Sequence, residues 1–436
     1  MLRIVPPPAV IDIARTLERA GFEAWCVGGA VRDALLGIET LDWDLATSAR
    51  PEEVQRLFRR TVPVGIQFGT VGVLDRAGVL HEVTTFRHDV ETDGRHAVVK
   101  FGASLDEDLA RRDFTVNAIA VHPERLEVRD PFGGRADLAA GVLRCVGEAG
   151  ERMREDRLRA LRALRFAGRF DFTIAPDTWA AIVSSAPHLG RLSMERVKQE
   201  LEKVMAQVAR PALTLERYRD AGVFTALIPS LAEAPAARFG ALDRLAHRPL
   251  AGRPGRVALR LAALFAEPGV APPRDFERTL KALRFSNVES RLAVDVARAV
   301  AALGALEALE GDDVALRRWV AEVGRLVVPS ALRVALARAL AEGRGDGDGD
   351  GDVSDGAWRR GCGRRFRRLH RRAMTIAWRD PIGIGDLAVD GDDLRAIGIT
   401  DGRAIGETLR ALLDAVLEDP ARNTVQELLA RARQGR

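Results

Sequence analysis

Residues 28–44 read Gly-Gly-Ala-Val-Arg-Asp-Ala-Leu-Leu-Gly-Ile-Glu-Thr-Leu-Asp-Trp-Asp. A glycine pair leads into a helical stretch over 30–36 that stops at Gly37, and two aspartates one residue apart follow on an expected strand over 40–46. Paired glycines let backbone N–H groups come close to a phosphate at a helix start. Side chains two apart on a strand share a face, so Asp42 and Asp44 would present their carboxylates together. Two such carboxylates can hold Mg²⁺ ions that bridge phosphates and activate a hydroxyl. Either half alone is an ordinary turn or an acidic strand end. Together, with Arg32 one turn into the helix, Gly28, Gly29, Arg32, Asp33, Asp42 and Asp44 form a candidate metal–nucleotide site.

The rest of the chain limits what can surround that site. A length of 436 residues suggests two to four domains. With 47% apolar and 29% charged residues the chain is globular rather than disordered. Net charge is only +4. Arginine dominates its basic residues, and arginine binds phosphates and base edges in a bidentate way that lysine does not. Cys26, Cys145 and Cys362 are far apart and form no Cys-x-x-Cys pair. That argues against a zinc site or disulfide framework and fits a reducing cytoplasm. The start, Met-Leu-Arg-Ile-Val-Pro-Pro-Pro, lacks the apolar core of a signal peptide. No uncharged apolar run reaches the length of about 18 residues that a membrane span needs, so no membrane association is expected.

Patterning divides the chain unevenly. A helix over 9–20, a strand over 24–27, a helix over 51–58 and strands over 71–74, 80–85 and 126–129 describe a mixed α/β region ending near residue 144. From about 150 to 340 the spacing is helical, and prolines at 211, 229, 235, 249, 254 and 268 cut it into short pieces. Residues 345–352 repeat Gly-Asp four times, the composition of a flexible linker. A calcium-binding repeat would need aliphatic positions that are missing. A final helical segment follows.

Three further segments carry candidate chemistry. Glu82, in His-Glu-Val-Thr-Thr-Phe-Arg, lies on a strand that can pair beside the aspartate-bearing one, where a third carboxylate orients a ligand or helps deprotonate a hydroxyl. In Asp106–Asn117, Arg112 is a candidate triphosphate contact within a helical segment. In 155–162, helical spacing puts Asp156, Arg159 and Arg162 on neighbouring parts of one face. By themselves these are also what an edge strand and solvated helices look like. One chemical argument favours a site. A carboxylate accepts from an exocyclic amine while a guanidinium donates to a ring nitrogen or carbonyl. Cytosine and adenine share that edge, and guanine and uracil do not. One Asp–Arg pair can therefore accept C and A without a template, at roughly 1–3 kcal/mol of discrimination per bidentate contact.

In this order the segments resemble the class II tRNA nucleotidyltransferase and bacterial poly(A) polymerase family. The residues that carry the resemblance are Gly28–Asp33, Asp42–Asp44, Glu82–Arg87, Asp130-Pro-Phe-Gly-Gly134, Arg111–Ala118, Glu155–Arg159 and Glu195-Arg196, within about residues 20–205, and more loosely 388–394 and 402–416. The resemblance implies an α+β fold: a nucleotidyltransferase head with a small mixed sheet (1–144), then a helical neck that recognises the base (145–208), body (209–344), Gly-Asp linker (345–356) and tRNA-binding tail (357–436). It implies Mg²⁺ on Asp42 and Asp44 and catalytic support from Glu82. Gly28, Gly29, Arg32 and Arg112 would contact nucleotide, Asp156 and Arg159 would read the base, and Arg162 and Arg165 would support phosphates or stacking. Glu195 and Arg196 would brace the neck. The implied activity is addition of C, C and A to tRNA from CTP and ATP with release of pyrophosphate. The alternatives are CC-only, A-only or poly(A) addition, or a catalytically silent RNA-binding protein. No protein partner is implied. The chain departs from the family at Arg157, where a proline is usual, and in 88–96, where a loop tyrosine is often found.

Overall fold

The computed structural model describes residues 4–40, 42–92, 97–245, 255–266, 275–303, 311–342 and 352–434. The chain divides into two compact units, residues 1–204 with 217–233, and residues 205–216 with 234–436.

The first unit begins with a mixed seven-stranded sheet. Its elements in chain order are α1 (Pro8–Arg19), β1 (Ala24–Val27), α2 (Gly29–Leu35), β2 (Asp44–Thr47), α3 (Pro51–Leu57), β3 (Thr61–Gly65), β4 (Thr70–Leu74), β5 (Leu80–Thr85), β6 (Arg87–Thr92), β7 (Ala97–Phe101), α4 (Leu105–Ala110), β8 (Ala120–Val121) and β9 (Val128–Arg129). The strand order is β3-β4-β5-β2-β1-β8-β9. All neighbours are antiparallel except β2 and β5, which run parallel with Leu45 opposite Val83. Helices α1 and α3 lie against the sheet through Val10, Ile13, Leu17 and Val54, all buried. A separate core gathers Trp25, Val27, Ala46, Phe86, Leu105, Leu109, Ala118 and Ala120. The alternation of strand side chains puts Asp44 on the Ala46 face, toward this second core.

The remainder of this unit is helical: α5 (Gly134–Ala140), α6 (Ala149–Glu155), α7 (Leu158–Phe170), α8 (Pro176–Ser185) and α9 (Met194–Gln207), with two short strands, β10 (Val142–Leu143) and β11 (Thr173–Ile174), paired in parallel. The second unit is helical throughout its described residues. Pro211 opens the helix Pro211–Asp220 and Pro235 caps Ala236–Arg244, as the sequence suggests, whereas Pro249, Pro254 and Pro268 fall outside the described residues. The arginine Arg260, fully buried, donates to the carbonyls of Met205, Val208 and Ala209 and so satisfies the C-terminal turn of α9. The C-terminal segment packs its own core from Val389, Leu394, Ile405, Leu412, Val416 and Leu428.

Four expectations change. The strand over 40–46 begins only at Asp44, because Trp43 is buried and its indole N–H is satisfied locally by the Thr40 carbonyl; Asp42 sits on the approach, exposed. Residues 88–92, expected in a loop, belong to β6, which pairs antiparallel with β7, and residues 93–96 lie outside the described residues. The strand over 126–129 shrinks to two residues, since Leu126 takes a positive φ of 57°. Of the Gly-Asp stretch, 345–351 lie outside the described residues, and 352–356 form the first turn of a helix, Asp352–Arg379.

Candidate active site

Asp44 opens the strand at the middle of the sheet. On one side it pairs with Val27, after which Gly28 turns the chain with φ 74° into α2. On the other side, one step back along the β2–β5 register brings it beside Glu82. Burial raises the Asp44 carboxyl, and the negative charges of Asp42 and Glu82 raise it further, to about 6, against the opposing pull of Arg112. These are three carboxylates with incomplete compensation.

The glycine at 28 is required by its surroundings. A Cβ there would stand 3.0 Å from Arg112 Nη1 and 3.9 Å from Asp44 Oδ2, in a backbone region that other residues rarely adopt. Gly28, Arg112 and Asp44 therefore converge. Arg112 is aimed by α4. The Ser104 hydroxyl accepts from the Glu107 amide and the Glu107 carboxylate accepts from the Ser104 amide, fixing the helix start. Asp108, 1% exposed, then accepts from Arg111 through Oδ1 and from Arg112 Nη2 through Oδ2 at 3.0 Å. Burial acts to raise Asp108, but the two guanidinium groups outweigh it and the carboxyl titrates below its ordinary range.

Arg32 has a different setting from Arg112. It is 4% exposed, donates to Asp33 Oδ1 through Nε and Nη2 and to Asn117 Oδ1 at 2.6 Å, and lies over the rings of Phe166 and Phe170. Asn117 in turn donates to Asp113 Oδ1, and Asp113 Oδ2 accepts from Nε and Nη2 of Arg162 at 2.9 and 2.6 Å. A continuous hydrogen-bonded chain thus runs from the glycine turn to α7. Burial pushes Asp113 up, and Arg162 with Asn117 more than reverses that.

Asp156 is not on the α7 face expected for it. Its φ of −146° ends α6, and it starts α7 from outside: Oδ1 accepts from the Leu158 amide at 3.1 Å. Oδ2 accepts from Arg196 at 2.7 Å. Arg159, the second residue of α7, donates to Glu155 and to the carbonyls of Arg152 and Arg111. Arg157, standing where the family has proline, needs no ring to begin the helix and donates to Ser185. Arg165 is 4% exposed and pairs at 2.6 Å with Glu200, itself 2% exposed, so it faces the interior between α7 and α9.

No three His, Cys, Asp or Glu side chains among the described residues enclose an ion on their own. The donor set fits Mg²⁺ in another way. That ion keeps several waters and takes one or two carboxylates plus substrate phosphates, and the uncompensated charge around Asp44 is what such an ion would neutralise. The sequence pattern places Asp33 in the first constellation and gives no role to Asp108, Asp113 or Asn117. The available signal was the i, i+4 spacing of Asp108 with Arg112, which also describes any solvated helix face.

Residues 24–144 match the poly A polymerase head domain, and residues 171–234 match the probable RNA and SrmB-binding site of polymerase A. The CCA-adding enzyme of Geobacillus kaustophilus is 36% identical over 98% of this chain and 96% of its own length, and that of Geobacillus stearothermophilus is equally identical over 98% and 96%. The crystal structure of the Bacillus stearothermophilus CCA-adding enzyme in complex with CTP superposes with a TM-score of 0.70 at 33% identity, covering 98% of this chain and 99% of that one. A Thermotoga maritima CCA-adding enzyme complexed with tRNA shares the fold, with a TM-score of 0.61 at 22% identity over 97% and 94%. With a relative this similar along almost its whole length, the chain belongs to the CCA-adding enzymes, a family of nucleotidyltransferases.

Proposed function

We propose that this enzyme adds C, C and A to tRNA 3′ ends from CTP and ATP at the site where Asp42, Asp44, Glu82, Gly28 and Arg112 meet. Asp44 carries the reading: it sits between the glycine turn and Glu82, and its raised carboxyl marks a place short of positive charge. Family membership implies a divalent cation, for which we propose Mg²⁺ held by Asp42 and Asp44. When bound it neutralises triphosphate charge and lowers the pKa of the primer hydroxyl. The primer 3′-oxygen then displaces pyrophosphate at the α-phosphorus.

The chain's own groups account for the rest. Gly28 and Gly29 leave room for a phosphate at the backbone, and Arg112, held by Asp108, supplies charge beside it. Asp156 and Arg159 present an acceptor and donors for the shared edge of C and A. The bonds from Arg196 and Leu158 to Asp156, and from Arg159 to three neighbours, hold that pair still. Arg32 and Arg162 support this frame through Asn117 and Asp113. The helical neck, body and tail engage tRNA through backbone and shape. The reading places the enzyme in the cytoplasm, with its substrates; Cys26 and Cys145 are buried free thiols, and no described helix is long and apolar enough to cross a membrane.

The test supplies purified protein with tRNA lacking its 3′ end, each nucleoside triphosphate alone, and then CTP with ATP. Addition of C-C-A supports the reading. A long A tail, or arrest after two C residues, replaces it with one of the narrower activities.

A further inference from the structure

The glycine turn is only as well placed as α2, the helix that follows it, and two neighbouring side chains tie α2 to α7. Arg32 donates to Asn117, Asn117 donates to Asp113, and Asp113 accepts from Arg162 on α7. Asp33, itself buried, makes a second connection. Its Oδ1 accepts from Arg32, and its Oδ2 accepts at 3.1 Å from Nη2 of Arg169, near the end of α7. The Phe170 ring lies against both guanidinium groups, 4.6 Å from Arg32 Cζ and 4.9 Å from Arg169 Cζ. Arg162 and Arg169 are seven residues apart, so they share one face of α7 at a spacing of about 10.5 Å. Two arms thus leave one point of α2 and end at two separate points of α7.

One arm alone would let α2 swing about its far end. Two arms that diverge to separated anchors form a triangle, which swings only if a bond breaks. What the triangle holds is the turn. A Cβ at Gly29 would stand 3.7 Å from Arg32 Nη2, the atom that Asp33 Oδ1 grips at 2.6 Å. Gly28, one residue earlier, converges with Arg112 and Asp44. We propose that Arg169 is a positioning residue for phosphoryl transfer: through Asp33 it fixes the direction of α2, and with it the place at which the glycine turn presents the triphosphate to Asp44. The proposal rests on the reading that the phosphates lie at this turn, and it names a residue that sets their alignment without touching them. Asp156 and Arg159 keep their own ties at the start of α7, so base selection lies outside its reach.

Removing Arg169 leaves Asp33 with Arg32 as its counter-charge, so Arg169→Gln takes away a direction and strands no buried carboxylate. The experiment uses the full chain. It measures single-turnover addition of the first C to tRNA lacking its 3′ end, Kd for CTP by equilibrium dialysis, and the preference for CTP over UTP. For Arg169→Gln the rate at saturating CTP is expected to fall about tenfold or more, the scale on which small misplacements slow a reaction. Kd for CTP and the preference for C each move by less than about twofold, since an alignment fault acts on kcat rather than on binding. Arg169→Lys keeps a point charge for Asp33 and recovers most of the rate. Arg15→Gln, which breaks an exposed ion pair with Glu124 elsewhere in the same unit, keeps the parent rate. An unchanged rate in Arg169→Gln, or an equal loss in Arg15→Gln, overturns the proposal. So does a loss of CTP affinity as large as the loss of rate, which would make Arg169 a nucleotide contact. Asp44→Asn in the same assay separates this proposal from the reading beneath it. Full rate from Asp44→Asn refutes the site and this role with it, whereas loss there and none in Arg169→Gln refutes this role alone.

Discussion

Two clusters of the first unit are built from the same kinds of side chain in opposite ways. Around Asp44, three carboxylates meet with one nearby guanidinium, and the balance stays negative. Around α7, the charges close on one another: Arg162 on Asp113, Arg159 on Glu155, Arg196 on Asp156, Arg165 on Glu200. A cluster left unbalanced is poised for something that arrives with the opposite charge. A balanced, hydrogen-bonded cluster holds a shape. The first is where reacting phosphates are expected, and the second is where a fixed hydrogen-bonding edge is useful, since a template only discriminates if it does not adapt to the wrong base.

The sharpest break in this contrast comes from Asp44. Asp44→Asn is expected to lower nucleotide incorporation by about a thousandfold or more, the scale of losing a main electrostatic contact at a transferring phosphoryl group, while tRNA binding stays within about threefold. The same change should stabilise the metal-free protein. With its folded pKa raised to about 6, Asp44 costs nothing where it is protonated in both states. The cost grows as pH rises from about 4 to 6 and is full above that. Thermal melts at pH 7.5 in chelator should therefore show Asp44→Asn above the parent, with the gap closing when Mg²⁺ is added. A lower melting temperature in chelator would mean that Asp44 is already compensated and that the two clusters do not differ.

Next in size is Asp113→Ala, which leaves Arg162 without its acceptor and Asn117 without one partner. Removing one member of such a pair costs about 3–5 kcal/mol, read as a drop in the urea midpoint. The pH dependence runs opposite to that of Asp44. The lowered carboxyls of Asp108 and Asp113 contribute stability that is present above the ordinary aspartate range and is lost as pH falls through their folded values. The parent should thus lose stability steeply below about pH 4, and Asp113→Ala should flatten part of that slope. An unchanged slope would remove Asp113 from the linkage.

Much of this was legible beforehand. The glycine turn, α2, β2, β4, β5 and the proximity of Glu82 to Asp44 follow from turn chemistry and alternation, which act within a few residues. The break at Asp156 was hidden because 149–170 keeps one apolar period across it, and Arg157 removed the proline that would have marked it. β8 and β9 have two residues each, too short to show any period. The roles of Asp33, Asp113 and Asn117 depend on partners 49 to 136 residues away in sequence; the spacing of Asp33 from Arg169 is the longest. No local pattern encodes such a distance.

A third test asks whether the balanced cluster reads the base. Asp156→Ala should reduce the preference for C and A over G and U by about 1–3 kcal/mol, roughly five- to a hundredfold in the ratio of kcat/KM values. Arg196→Ala should give a smaller loss in the same direction, because it frees Asp156 without removing it. Competition between CTP and UTP on one tRNA measures both. Equal selectivity in parent and variants would reduce the cluster to scaffolding.

The smallest expected effect separates scaffold from template within the cluster itself. The family resemblance gives Arg165, one turn beyond Arg162, a part in supporting phosphates or stacking. The fold instead turns it inward, where Glu200 accepts its Nε and also accepts from Lys203. A guanidinium 4% exposed and already paired has little left to offer a nucleotide. Arg165→Met/Glu200→Leu replaces the buried pair with apolar groups, and such exchanges are often neutral in stability. The double variant should keep KM for CTP within about twofold of the parent and leave base selection unaltered, whereas Arg162→Met should raise KM by losing its tie to Asp113. If the Arg165 variant shifted KM as far as the Arg162 variant, the boundary between the surface that meets nucleotide and the interior that supports it would have to move by a full helical turn.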